Sequence, residues 1–302
     1  MTVWDIELLL ARDVRDRRAL ARDVERAIAR RLRHGVYALE VDVVHLAREE
    51  QHILAIRAAA LASDRKLVFS HWSAAVLHDL ATVGNHLGTV HVTFGDQQSR
   101  GLQGVSSHVF GTTEDEIVEL HGLLVTGVGR TVVDVAGSGT FEEGVVVADA
   151  ALRAGVPRAV LEDAIDRAGP RRAAPKITKV VGFADGDSGS AGESLSRVSM
   201  DRLGLRPVLQ HRHHDHRGFI GRSDFFFPVE RVVGEFDGRV KFVDPRFAPN
   251  GAAEVLWNEK VREDRMRAVN KGFGRWGWEE ARNPRKLAPV LIAAGVRLPR
   301  RP

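Results

Sequence analysis

The stretch from Arg222 to Phe242, RSDFFFPVERVVGEFDGRVKF, constrains the chain more than any other. Two runs dense in aromatic and β-branched residues stand on either side of Pro228, which a central strand does not tolerate. The stretch therefore reads as two strands joined by a turn, in a sheet with a substantial apolar face. Yet these runs carry carboxylates at Asp224, Glu235 and Asp237. Burying such groups is costly unless something positive neutralises them. Side chains alternate along a strand, which puts Glu235 and Asp237 on one face. Antiparallel neighbours bring facing side chains within about 5 Å, so Asp224 and Glu235 would repel unless a cation lay between them. Hard oxygen ligands suit Mg²⁺ or Mn²⁺.

The flanking pattern supplies the rest of a small α/β unit. Ser190 and Glu193 have capping-box spacing and open a helix through LSRVSMDRLGL. That box by itself accounts for Glu193. RPVLQHRHH, GFIGRSDFFFP and RVVGEFDG read as three strands, VLWNEKVREDRMRAVNKGF as a helix and RWGWEEA as a fourth strand. The run HRHHDHR, from His211 to Arg217, is a rival metal site for Zn²⁺ or Ni²⁺ on its residue types. A structural site, however, draws its ligands from separate elements. A solvated turn is the simpler reading.

Residues Trp4 to Leu39 read as two helices and a strand. Leu20, Val24, Ile28 and Leu32 recur at four-residue steps, a helical stripe, and Gly35 turns the chain into VYAL. A basic helix followed by such a turn resembles the second half of a winged helix. Arg17, Arg18, Arg30, Arg31 and Arg33 would then meet phosphates. An amphipathic helix with a solvated basic face fits the same residues. Basic residues (44) barely exceed acidic ones (40), so clustering of arginine, not net charge, carries any pointer to nucleic acid.

The middle alternates helices and strands: EEQHILAIRAAALAS, SHWSAAVLHDL with Ser70 as N-cap, VHVTFG, SSHVFG, and GLLVTGVGRTVVDVA as strand, turn and helix. FEEGVVVADAALRAG stops at Gly155, with Pro157 just beyond. His71, His78, His91 and His108 are scattered over this part and read as packing or surface residues. GPRRAAPK and GFADGDSGSAG are rich in Gly, Pro, Ser and Asp, which marks a boundary near Gly182. The expected divisions are 1–44, 45–182 and 183–302.

The 302 residues contain no cysteine and are 44% hydrophobic. Disulfides and zinc–thiolate sites are excluded, and a proper core is within reach. MTVWDIELLLARDVRDRR lacks the long apolar core of a secretory signal, and no run approaches a membrane span. A soluble cytoplasmic protein is expected.

The segment from about Gly192 to Glu280 resembles the PD-(D/E)xK nuclease superfamily, in its branch close to the very-short-patch-repair endonucleases. The E…D-F…E-x-D-G series is matched by Glu193, Asp224-Phe225 and Glu235-Phe236-Asp237-Gly238. Lys260, Asp264 and Arg265 stand where that branch's helix carries like residues. The whole layout, with SHWSAA and GRTVVDVA in the middle, resembles actinobacterial proteins with an AbiEi-type antitoxin-like winged-helix front. The resemblance implies an α+β chain: a winged-helix-like segment, a mixed α/β middle and a C-terminal restriction-endonuclease-like αβββαβ domain.

It further implies a metal-dependent DNA endonuclease in which Asp224 and Glu235 hold Mg²⁺ or Mn²⁺ and Glu193 orients a water. The family's lysine two residues after the glutamate is Asp237 here. Lys241 or Lys260 would have to supply the missing cation. The alternative is a non-catalytic, antitoxin-like DNA-binding regulator on a degenerate nuclease fold, with a cognate toxin as partner. Nothing in the residues separates DNA from RNA.

Overall fold

In the computed structural model, residues 2–94, 104–109, 113–169, 172–238 and 252–299 are described, the side chains of Arg17 and residues 252–256 excepted. Lys241 lies outside the described residues. Contacts divide the chain into two units, Met1–Val147 with Val156–Gly182, and Ala148–Gly155 with Phe183–Pro302. The first unit's last residue is Gly182, while residues 148–155 belong to the second unit. This division sets no boundary near residue 44, where one is expected, because the front segment is built into the first unit.

That front is β1 (Leu9–Leu10), α1 (Arg17–Glu25), β2 (Ala29–Arg33), β3 (Val36–Leu39) and α2 (Glu40–Val43). Its three strands form an antiparallel sheet in the order β1-β3-β2. Val3, Ile6, Ala38 and Val43 share one core with Leu46 and with Leu54 of α3 (Arg48–Ala62). Arg57 of α3 donates to the carbonyls of Val3 and Ile6. No separate domain is left.

Two expectations for this segment are corrected. Residues 4–14 are not helical, since Leu9 and Leu10 pair with Tyr37 and Val36 instead. The stripe ending in Ile28 and Leu32 is not one helix either. Asp16 caps α1 by accepting from the N–H groups of Arg18 and Ala19, and the helix stops at Glu25. Ala27 takes φ 55°, a left-handed conformation that breaks a helix. From Ala29 onward the backbone hydrogen bonds go to β3, with Gly35 at φ 78° closing the hairpin. Ile28 is left 49% exposed. Pairing across the hairpin satisfies the backbone that the four-residue spacing had assigned to a helix.

The rest of the first unit is a five-stranded sheet with helices. Its elements are β4 (Val68–Phe69), α4 (His71–Leu77), β5 (Val90–Phe94), β6 (Val105–Val109), β7 (Ile117–Leu120), β8 (Leu123–Thr126), α5 (Val128–Ser138), α6 (Phe141–Arg153), α7 (Arg158–Ala168) and α8 (Ala174–Phe183). The strand order is β6-β5-β4-β8-β7. Arg130 and Asp134 of GRTVVDVA form a buried i,i+4 pair on α5, and Arg130 also reaches Glu116, each contact at 2.9 Å. The motif thus pins α5 to the chain entering β7.

The second unit has α9 (Ala191–Arg202), β9 (Val208–Asp215), β10 (Gly218–Phe227), β11 (Val232–Phe236), α10 (Ala252–Val269), β12 (Gly272–Trp276), α11 (Trp278–Ala281) and α12 (Pro284–Ala294). The chain order is αβββαβ followed by two helices, and the sheet order is β12-β11-β10-β9. β12 runs parallel to β11 and the other pairs are antiparallel. One face buries Phe226 and Val233 against Met266 of α10. On the other, the Trp276 indole donates to Ser196 of α9, and Gly192 of α9 lies against the Phe236 ring. Asp149, in the 148–155 stretch that belongs to this unit, is buried and accepts two bonds from Arg197 at 2.8 and 2.9 Å. Among the described residues, no helix is long and apolar enough to cross a membrane.

Candidate active site

The β10–β11 register pairs Phe225 with Gly234 and Phe226 with Val233. Carried one residue on, it sets Asp224 opposite Glu235. Facing residues of an antiparallel pair project to the same side, here the α10 side that Phe226 and Val233 also occupy. The two carboxylates therefore share a face, as expected for facing positions on neighbouring antiparallel strands. Asp224 is held in place by the Phe236 N–H, which donates to its Oδ2 at 2.8 Å. Glu235 is only 7% exposed.

Among the described residues, the cations that reach Glu235 are arginines. Arg262 of α10 donates Nη2 to Glu235 Oε1 at 2.8 Å. Arg275 of β12, paired in register with Glu235, donates Nη2 to Oε2 at 3.0 Å. Arg262 also holds both oxygens of Glu259, at 2.7 and 2.9 Å, and Arg275 reaches Glu263 at 2.9 Å. Residues 259, 262, 263 and 266 form one stripe of α10, because helix neighbours recur at three and four residues. That stripe faces the sheet. These contacts raise the pKa of Arg262, through the Glu259 hydrogen bonds first and Glu235 after them.

The other expected residues distribute differently. Lys260 is exposed on α10, one position off the inward stripe. Asp237 follows β11, its N–H donating to the Trp276 carbonyl at 2.8 Å. It lines an open depression of about 630 Å³ together with Arg275, Trp278 and Glu280. Glu193 completes the capping box: Ser190 Oγ accepts from its N–H, and its carboxylate accepts from Gly189 N–H and Ser190 Oγ–H. Gln210 of β9 adds a bond to that carboxylate at 3.1 Å. Glu193 is fully accounted for by these contacts.

The donor chemistry around Asp224 and Glu235 fits a hard divalent cation. It is all oxygen: among the described residues, three carboxylates (Glu235, Glu259 and Glu263) share two guanidiniums beside Asp224. Asp224 and Glu235 would hold the ion, with the Phe236 carbonyl within the same turn of chain. Among the described residues, no group of three or more His, Asp or Glu is arranged to bind a metal.

HRHHDHR is not a solvated turn. His211, His213 and His214 lie on β9, and only the last residues make the turn. His213 is buried, bonded to Ser223 Oγ at 2.9 Å and Asn270 at 3.2 Å, and burial pushes its pKa down to about 4. Asp215 is locked to Arg265 by two bonds of 2.7 and 2.8 Å.

In the first unit, the scattered histidines come together. His71 stacks on His108 with ring centroids 3.6 Å apart, and Trp72 stacks on His86 at the same distance. His91 and His108 meet at 3.0 Å through Nδ1 and Nε2. His52 donates Nδ1–H to the Leu87 carbonyl and accepts from Ser73 Oγ at 2.9 Å. Burial holds His52 and His91 near a pKa of about 4, with the charge of His108 adding to the effect on His91. Their packing role is as expected, while their gathering is not legible from spacing. Of the basic residues at the front, Arg18 is exposed on α1, and Arg30, Arg31 and Arg33 sit on β2 instead of a helix. Arg30 is paired with Glu40, and Arg31 contacts the His34 ring.

No family model matches this chain. It is 35% identical over 118 residues to the uncharacterized proteins Rv2248 and MT2308 of two Mycobacterium tuberculosis strains, H37Rv and CDC 1551. The match covers 38% of this chain and 44% of each relative, so the chain spans less than half the length of the relatives it matches.

Proposed function

We propose that this chain is a divalent-metal-dependent endonuclease acting on DNA phosphodiesters. The observation that carries the reading is the Asp224–Glu235 pair, facing each other across β10 and β11 of an αβββαβ unit. Its resemblance to PD-(D/E)xK nucleases points the same way. Asp224 and Glu235 would hold Mg²⁺ or Mn²⁺, which in hydrolytic sites polarises a phosphoryl oxygen and acidifies bound water. Arg262 and Arg275, beside Glu235, would stabilise charge developing on the phosphate, the part assigned from sequence to Lys241 or Lys260. Guanidinium forks suit phosphate at least as well as an ammonium does.

The test is incubation of supercoiled plasmid with Mg²⁺ or Mn²⁺, wild type against Asp224→Ala. Metal-dependent nicking that the variant loses supports the reading, and no cleavage with either ion overturns it. A second reading has its own observation. Both oxygens of Glu235 are already engaged by guanidiniums, and Asp237 stands at the lysine position. That favours a DNA-binding regulator on a nuclease-like scaffold, with a cognate toxin as partner. DNA binding without cleavage, unaffected by Asp224→Ala, would select it.

A further inference from the structure

Glu235 raises a question that the nuclease reading leaves open: how can a ligand to a cation also be the anchor of two arginines? The carboxylate is 7% exposed, and each oxygen accepts one charged N–H, from Arg262 at 2.8 Å and Arg275 at 3.0 Å. A metal arriving alone meets a carboxylate that is already neutralised and must push guanidinium groups away. A phosphate arriving alone would draw the guanidiniums off, leaving Glu235 a poorly solvated charge opposite Asp224. Stripping one partner from a buried ion pair is strongly unfavourable. Either ligand by itself therefore costs free energy at this site. The two together do not, since the cation then takes Glu235 while phosphate oxygens take the arginines.

The neighbouring side chains allow this exchange. Arg262 keeps both oxygens of Glu259, at 2.7 and 2.9 Å, whether or not Glu235 is released. Arg275 keeps Glu263 at 2.9 Å. Both guanidiniums are partly solvent-exposed, with side-chain exposures of 27% and 33%, so a phosphate has access to them. Neither cation is orphaned at any point. The network is a switchable contact, in which two carboxylates on α10 keep hold of the guanidiniums that Glu235 gives up.

We propose that Arg262 and Arg275 are a latch on Glu235, so that divalent cation and nucleic-acid phosphate bind this unit with positive coupling. The proposal rests on the nuclease reading and adds a regulatory property to it: metal alone occupies the site weakly, and the substrate's own phosphate opens it. Coupling of this kind is reciprocal, so DNA must tighten Mn²⁺ by the same factor that Mn²⁺ tightens DNA.

The experiment is Mn²⁺ binding to the full chain, followed by electron paramagnetic resonance of the free ion. It is run with and without a phosphorothioate DNA duplex that resists hydrolysis. The expected result is a tightening of about 5- to 150-fold with the duplex, the usual range of site coupling. Duplex affinity measured with and without Mn²⁺ should return the same factor. Arg275→Gln should raise Mn²⁺ affinity in the absence of DNA and shrink the coupling several-fold. Equal Mn²⁺ affinity with and without a duplex that demonstrably binds overturns the latch and leaves the nuclease reading standing. Failure to bind Mn²⁺ even with the duplex present overturns both.

Discussion

Arg262 crosses from α10 to Glu235 on β11, its Nη2 2.8 Å from Oε1, and so brings a guanidinium to the site for which sequence reasoning had sought a lysine. Lys260, two residues before it, is exposed. Lys260→Ala is therefore expected to leave plasmid cleavage within about twofold of wild type. Arg262→Ala should lower it by about 100-fold or more, the scale on which loss of a transition-state charge contact is felt. Single-turnover cleavage rates decide this, and equal losses in the two variants would refute the assignment.

The buried triad of Arg130, Glu116 and Asp134 stabilises the first unit only as long as all three remain. Arg130→Ala removes the cation that two buried carboxylates share. Breaking such a set from one side costs about 3–5 kcal/mol. Denaturant unfolding should show a drop of that size, and a loss under about 1 kcal/mol would mean that the triad is not buried as described.

At Gly272, an added Cβ would lie 1.9 Å from the Ala294 carbonyl oxygen, a backbone atom at the end of α12. Relief requires α12 to shift relative to β12, so Gly272→Ala should destabilise the second unit by about 1–3 kcal/mol, as overpacking does. Gly35→Ala tests a different constraint, since its φ is 78° but no atom lies within 4 Å of the added Cβ. Its cost should be smaller, and thermal melts of the two variants give the comparison.

Acid should weaken the fold. His52 and His91 are held near a pKa of about 4 by burial, and His213 in the second unit likewise. The unfolded chain takes up these protons near the ordinary value of about 6.5. Between about 6.5 and about 4 the unfolded state binds more protons, so stability rises with pH in that window. It is complete above about pH 7 and is lost as pH falls toward 4. Urea midpoints across this range should decline monotonically on acidification, and a flat profile would contradict the buried, neutral state of these rings.

If the front of the chain meets phosphates, its exposed arginines set a salt dependence. Deleting the segment is no test, because Ala38 and Val43 share a core with Leu54. Charge reversal at Arg18 and Arg31 preserves that core. Each lost phosphate contact should flatten the slope of log affinity against log salt by about 0.9. An unchanged slope in fluorescence-anisotropy titrations assigns duplex binding to other residues.

The sequence by itself determined whatever depends on near neighbours. Runs of β-branched and aromatic residues on either side of the Pro228 turn located β10 and β11 as antiparallel neighbours carrying Asp224 and Glu235. The Ser190–Glu193 spacing fixed the start of α9, and Gly155 the end of α6. Local rules sufficed there because the interacting groups are a few residues apart and the backbone geometry alone brings them together. Tertiary structure decided the rest. Arg262 and Arg275 meet Glu235 across separations of 27 and 40 residues, and no periodicity in the chain reports such a meeting. His71 finds His108 only because β6 lies beside β5 in the sheet. Residues 26–33 obeyed the same logic against their local pattern. A helical stripe gave way to a strand because the left-handed Ala27 ends the helix and β3 offers hydrogen-bond partners along one edge of residues 29–33.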